Sequence, residues 1–161
     1  MRCVVSSRDA EFNISPLDLS NEAEMEFLFE TRRHPLVASF LLGTPPSDMQ
    51  AHRSWVAGNV PAKRRMYVAR MDGRMVGYCH AYGFDVERPY VEVGFAVHPD
   101  WQGMGVGGRM VEWIVGEVKR VFPGRTVMLM VKSDNERACR LYERKGFVCV
   151  NGGDVAMYVH G

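Results

Sequence analysis

Gly103, Gly105, Gly107 and Gly108 are four glycines within six positions, at the end of the stretch Val97-His98-Pro99-Asp100-Trp101-Gln102-Gly103-Met104-Gly105-Val106-Gly107-Gly108. A glycine inside a helix costs roughly 1 kcal/mol relative to alanine. Yet Val106, Met110, Val111, Ile114, Val115, Val118 and Phe122 keep helical spacing from this point, so the cluster falls where a helix begins. Backbone N–H groups at a helix start have no intrahelical partners and lie at the positive end of the dipole, and positions without side chains let an anion reach them. A pyrophosphate fits that description; a merely tight turn is the alternative. The dinucleotide-binding pattern needs its glycines after an early strand of a parallel sheet, and these come late. The Gly-Lys-Ser/Thr of an ATP-binding loop is absent.

The elements that would position this loop are legible as periodicities. Residues 11–17 read as a first strand, after which Ser20 or Asn21 caps a Glu-rich helix that stops near His34-Pro35. Pro45-Pro46 breaks the chain, and Ser47 caps a second helix carrying Met49, His52, Trp55 and Val56, ended by Asn59-Val60-Pro61. Strands at 66–70 and 75–81 flank Asp72-Gly73, a hairpin signal because that turn needs positive φ. A strand at 90–97 leads into the glycines, and the long helix after them runs to Pro123-Gly124. A strand at 126–131 follows, then a helix from Asp134 or Asn135 to Gly146, and strands at 147–150 and 155–159.

The glycine stretch, read as Gln102-Gly103-Met104-Gly105-Val106-Gly107, resembles the Gln/Arg-x-x-Gly-x-Gly/Ala pyrophosphate loop of the GNAT superfamily of N-acetyltransferases. A second stretch, Asn135-Glu136-Arg137-Ala138-Cys139-Arg140-Leu141-Tyr142-Glu143-Arg144-Lys145-Gly146-Phe147, resembles that family's Asn-x-x-Ala-x-x-Leu/Phe-Tyr-x-x-x-Gly-Phe helix. The resemblance covers 66–159 well and the first two helices loosely. It implies one α/β domain of the α+β kind, with a mixed, mostly antiparallel sheet of about six to seven strands flanked by about four helices. It implies acetyl-CoA as co-substrate and no metal, with Gln102, Gly103, Met104, Gly105, Val106, Gly107 and Gly108 holding the pyrophosphate. The backbone of Phe95, Ala96 and Val97 would pair with pantetheine as an added strand pairs with a sheet. Asn135 would bond the cofactor arm beside Ala138, and Tyr142 would protonate the departing thiolate. A tyrosine of pKa about 10 holds a proton to give at neutral pH; the alternative is an aromatic that only packs helix on sheet. Arg144 and Lys145 would reach the terminal phosphate of CoA, or remain solvated surface charge.

An acceptor amine must be neutral to attack, so the same resemblance calls for a base. Glu92 is the candidate: with period two it shares a face with Gly94 and Ala96 in an otherwise apolar strand, and burial there would raise its pKa. An ion-paired or solvated Glu92 is the alternative. His80 is the second candidate, of ordinary pKa near 6.5, with a structural histidine as its alternative, and water is the third. His98 occupies a variable motif position and is expected to face solvent.

Acceptor choice is expected to lie in 32–55 and 82–90. Glu30-Thr31-Arg32-Arg33-His34-Pro35, His52-Arg53-Ser54-Trp55 and Tyr67-Val68-Ala69 resemble a branch that includes nucleotide-linked amino-sugar acetyltransferases and, in part, ribosomal-protein N-terminal acetyltransferases. On that reading Arg32, Arg33, His52 and Arg53 meet a diphosphate, Trp55, Phe84 or Tyr90 stacks on the base, and Tyr82 is a further substrate-binding candidate; otherwise Trp55 is core and the arginines are solvated. A peptide or small-amine acceptor, or a CoA-binding module without chemistry, is the alternative. A homodimer is common in that branch, although no residue pattern requires one.

Composition fits this picture. The 161 residues carry 47% apolar and 24% charged residues with a formal charge of +1, an ordinary balance for one domain that buries roughly 70% of its surface. A near-neutral chain lacks the charge that bulk nucleic-acid binding needs. Cys3, Cys79, Cys139 and Cys149 form no Cys-x-x-Cys pair and read as small buried hydrophobes in a reducing compartment. An acidic start without an apolar core argues against a secretory signal, and no apolar run suits a membrane span, so a cytoplasmic protein is expected.

Overall fold

The computed structural model describes residues 10–58, 63–83 and 87–161. Asp72 and Gly73 take φ of 49° and 78° and turn β2 (Arg64–Met71) antiparallel into β3 (Arg74–Tyr82). β1 (Phe12–Pro16) adds to the free side of β2, and β4 (Tyr90–Val97) runs antiparallel to β3. β5 (Thr126–Lys132) pairs parallel with β4, and β7 (Val155–His160) and β6 (Val148–Asn151) complete a seven-stranded sheet of order β1-β2-β3-β4-β5-β7-β6.

Among the described residues, five α-helices cover the two faces. α1 (Glu22–Arg33) begins at Asn21, whose side chain accepts from Glu24 N. His34 ends it and Pro35 opens α2 (Pro35–Ala38), a single turn too short to leave a period in the sequence. α3 (Met49–Ala57) is capped by Asp48, not by Ser47 as expected: the Asp48 carboxylate accepts from Ala51 N at 2.8 Å. The stop expected at Asn59-Val60-Pro61 lies outside the described residues, as do Cys3 and Phe84. α4 (Val106–Val121) buries Val106, Met110, Val111, Ile114, Val115 and Val118, each worth on the order of 1.5–3 kcal/mol when taken from water. α5 (Glu136–Arg144) is capped by Asn135 and ends at Gly146, whose φ is 91°.

Two cores result. Between the sheet and α4 and α5 the core gathers Val91, Val93, Val127, Leu129, Tyr142 and Phe147; on the opposite face, between the sheet and α1 and α3, it gathers Met25, Leu28, Val56, Val68, Tyr78 and Ala96. Glu24, buried at 4% exposure, accepts from Arg70 Nη2 at 2.7 Å and from Asp18 N at 2.8 Å, which fixes α1 on β2. Cys79 is buried as expected, but Cys149 is exposed because its strand is the sheet's outer edge.

Candidate active site

β4 and β5 pair only at Tyr90↔Thr126, Val91↔Val127 and Glu92↔Met128, yet both strands continue. Past Glu92 they part, so the β5-facing backbone edge of Phe95, Ala96 and Val97 has no strand beside it, while their other edge stays paired with β3. A cavity of about 880 Å³ opens at this gap and is lined by β4, the glycine loop, the start of α5, and side chains from α1, α2 and α3.

At the loop end, Gly103 and Gly105 have φ of 80° and 79°. Gly105 is the N-cap of α4 and offers no side-chain acceptor, so the first amides of α4 are left for another partner. Gly107 and Gly108 serve a different purpose. A Cβ on Gly107 would meet Leu141 Cδ2 at 3.3 Å, and one on Gly108 would meet Lys145 Cε at 3.1 Å. Two of the four glycines therefore shape the loop by their φ, while Gly107 leaves room for Leu141 of α5 and Gly108 for the Lys145 side chain. Gln102 donates to the Val97 carbonyl at 3.2 Å. Met104 is exposed and outside the cavity lining, and the Val106 side chain belongs to the core.

α5 brings Ala138, Leu141, Tyr142 and Arg144 to the lining. Asn135 lines it too, but its Oδ1 accepts from Ala138 N at 3.3 Å and so caps the helix. Lys145 does not line it: its ammonium pairs with Glu112. Arg137, which the sequence reading did not single out, lines the cavity with a guanidinium nitrogen beside Gly103. Tyr142 is 7% exposed, its ring edge-on to Phe95 at 5.6 Å and tilted on Phe147 at 5.9 Å. Burial pushes its hydroxyl well above the usual tyrosine range, so it keeps its proton.

The opposite end is a grid on three strands. Arg64, Tyr82 and Glu92 are register partners in one row, followed by Met66, His80 and Gly94, then Val68, Tyr78 and Ala96. Glu92 is half-buried, not enclosed as expected, because its face opens on the cavity; Tyr82 donates to it, and Arg64 lies within electrostatic reach. His80 lies over Gly94, where a Cβ would stand 2.6 Å from its Nε2. Burial, then Arg64 and Arg32, push its pKa down to about 3. His98 is also half-buried; its Nδ1 accepts from Asp100 N and its ring stacks on Phe27 at 5.7 Å, so it does not simply face solvent.

Of the residues expected to meet an acceptor, Arg32, Trp55 and Tyr82 line the cavity. Arg33 is exposed with its guanidinium over Phe29, and Arg53 pairs with Glu22 at the surface. His52 is fully buried beside Trp55 and Phe29, and burial followed by Arg32 lowers its pKa to about 4. Among the described residues no group of three His, Cys, Asp or Glu converges as a metal site, and no helix is long and apolar enough to cross a membrane.

The strand pair that parts beside the glycine loop and the buried Tyr142 of α5 agree with the acetyltransferase resemblance of the two sequence motifs. The acetyltransferase (GNAT) family model matches residues 25–147, and the chain belongs to that family. It is 30% identical over 106 residues to the L-amino acid N-acyltransferase MnaT of Escherichia coli (strain K12). That match takes in 63% of this chain and 60% of the relative, so the chain spans less than two thirds of the relative's length. In fold it is similar to a domain from Methanocaldococcus jannaschii DSM 2661, with a TM-score of 0.79 at 19% identity, covering 94% of this chain and 98% of that one. It is also similar to the spermidine N-acetyltransferase from Vibrio cholerae in complex with CoA and spermine, with a TM-score of 0.78 at 15% identity, covering 92% of each chain.

Proposed function

We propose that this protein transfers the acetyl group of acetyl-CoA to a primary amine by direct attack. The observation that carries this reading is the gap between β4 and β5, because one cavity there joins the glycine loop, Tyr142 and Glu92. The loop amides and Arg137 suit the pyrophosphate, and the open edge of Phe95, Ala96 and Val97 suits the amide groups of pantetheine. The amine nitrogen forms its bond to the thioester carbonyl carbon as the C–S bond breaks. Tyr142 gives its proton to the leaving sulfur, and Glu92 accepts the proton that the nitrogen loses. Cys139 lies outside the cavity lining, which favours direct attack over an acyl-enzyme.

The nucleotide-linked amino sugar expected from the sequence retains Arg32, Trp55 and Tyr82 at the cavity, without Arg33, His52 or Arg53. Its test is release of free thiol from acetyl-CoA with amino-sugar nucleotides, L-amino acids, peptides and polyamines offered in turn. The expected result is acceptor-dependent release that Tyr142→Phe lowers about 100-fold in kcat with acetyl-CoA affinity kept. Equal loss of turnover and affinity would make Tyr142 a binding residue. Tight acetyl-CoA binding with no turnover on any amine would make the chain a CoA-binding module instead.

A further inference from the structure

Among the described residues, two guanidinium groups and one carboxylate, those of Arg32, Arg64 and Glu92, stand at the end of the cavity away from the glycine loop. Arg32 is 6% exposed, and its polar partners are neutral: the Tyr78 hydroxyl and His52 Nδ1, the latter 3.4 Å from Nη1. Its guanidinium carbon lies 3.7 Å from the centre of the Trp55 ring. Arg64 lies against the same ring at 4.6 Å and against Tyr82 at 5.0 Å. Among the described residues, its Nε and Nη1 are buried without a hydrogen-bond acceptor. Aromatic faces attract the positive charge but leave the in-plane N–H donors unanswered. The nearby Glu92 carries a single negative charge against two positive ones and already accepts from Tyr82. Buried donors of this kind are costly unless something fills them, and a guanidinium edge is shaped for a planar or tetrahedral oxyanion.

We infer that Arg64, with Arg32 behind it, binds an oxyanion on the acceptor, so that the acetylated amine belongs to a molecule with its own carboxylate or phosphate. This rests on the acetyl-transfer reading and gives the acceptor an orientation. The anion lies on Arg64 while the amine, in the same row, faces Glu92. Polycationic amines, such as the spermine bound by the Vibrio cholerae enzyme, would instead place positive charge against two arginines.

The experiment compares matched acceptors by thiol release: L-phenylalanine against L-phenylalaninamide, a nucleotide-linked amino sugar against the free amino sugar, and spermidine alone. In at least one pair the anionic member is expected to lead by tenfold or more in kcat/KM, and which pair responds separates carboxylate from phosphate. The amide's amine is the less basic of its pair, so intrinsic reactivity runs against that outcome. Arg64→Gln should lower kcat/KM at least tenfold more for the anionic member than for the neutral one, through KM, while the KM for acetyl-CoA reports an intact fold. Arg64→Lys keeps the charge without the fork and should fall between the two. Equal use of both members, a preference for spermidine, or equal loss on both in Arg64→Gln overturns the inference. No turnover with any amine defeats the transfer reading alone. The anion site is then read by tryptophan fluorescence of the CoA-saturated protein titrated with inorganic phosphate. A saturable change abolished in Arg64→Gln supports the site, and no change in the wild type overturns it.

Discussion

Glu92 and His80 both face the cavity from adjacent strands, and their surroundings push them toward different chemistry. His80 has Arg64 and Arg32 beside it, and its pKa of about 3 makes its imidazole a weak acceptor for an ammonium proton at neutral pH. Glu92 has a tyrosine hydroxyl and an open cavity before it. Glu92→Gln is therefore expected to lower kcat about 100-fold at pH 7.5, and His80→Gln less than about tenfold, measured with both substrates saturating. A larger loss in His80→Gln would transfer the base to that residue, and small equal losses would leave solvent water as the proton acceptor. Tyr142 and Glu92 were legible in the sequence because a motif and a strand period mark them. Arg64 was not, for a structural reason. Counting back from the Asp72-Gly73 turn pairs Arg64 with Ala81, but an irregularity between Ala69 and Arg70 shifts the register by one and pairs it with Tyr82. A one-residue shift changes which side chains share a face, so the row from Arg64 to Glu92 exists only in the folded sheet. Lys145 shows the converse: its place in the motif was readable, but its pairing with Glu112, 33 positions earlier in the chain, was not.

The strands and longer helices were readable because their apolar residues repeat with the period of the element, and α4, with six buried residues on one stripe, is the clearest case. The glycine loop was readable as a place but not as a division of labour, since no sequence pattern tells a glycine needed for φ from one needed for packing. That division predicts unequal effects. Gly105→Ala forces a side chain into φ of 79° and should cost about 1–2 kcal/mol; by reshaping the loop it should also weaken CoA binding at least tenfold. Gly108→Ala meets the flexible Lys145 side chain at 3.1 Å. It displaces a surface pair worth about 0–1 kcal/mol, so stability and CoA affinity should stay close to wild type. Denaturant unfolding and calorimetry with CoA on the two variants check this, and matching CoA affinities would show that loop conformation does not govern the grip.

Across the whole molecule, the sheet face toward α1 and α3 has a basic, aromatic interior that keeps two histidines neutral. Their pKa values fall to about 3 for His80 and about 4 for His52, whereas an unfolded chain titrates them near 6.5. Between those limits the unfolded chain binds more protons than the folded one. Stability from these groups is therefore complete above pH 6.5 and is lost as pH falls toward 4, by up to about 1.4 kcal/mol per pH unit for each histidine. Asp18, held low by its bond from Ser20, and Glu22, held low by Arg53, also lose stability on acidification, but only as pH approaches the carboxylate range. The interval from pH 7.5 to 5 thus isolates the histidines. The urea midpoint should be flat from pH 8 to 7 and fall clearly by pH 5, and His80→Gln should remove a large part of that fall. A midpoint unchanged down to pH 5 would mean that both imidazoles gain protons in the folded state, which would require the arginines around the cavity to sit farther from them than Arg32 sits from His52.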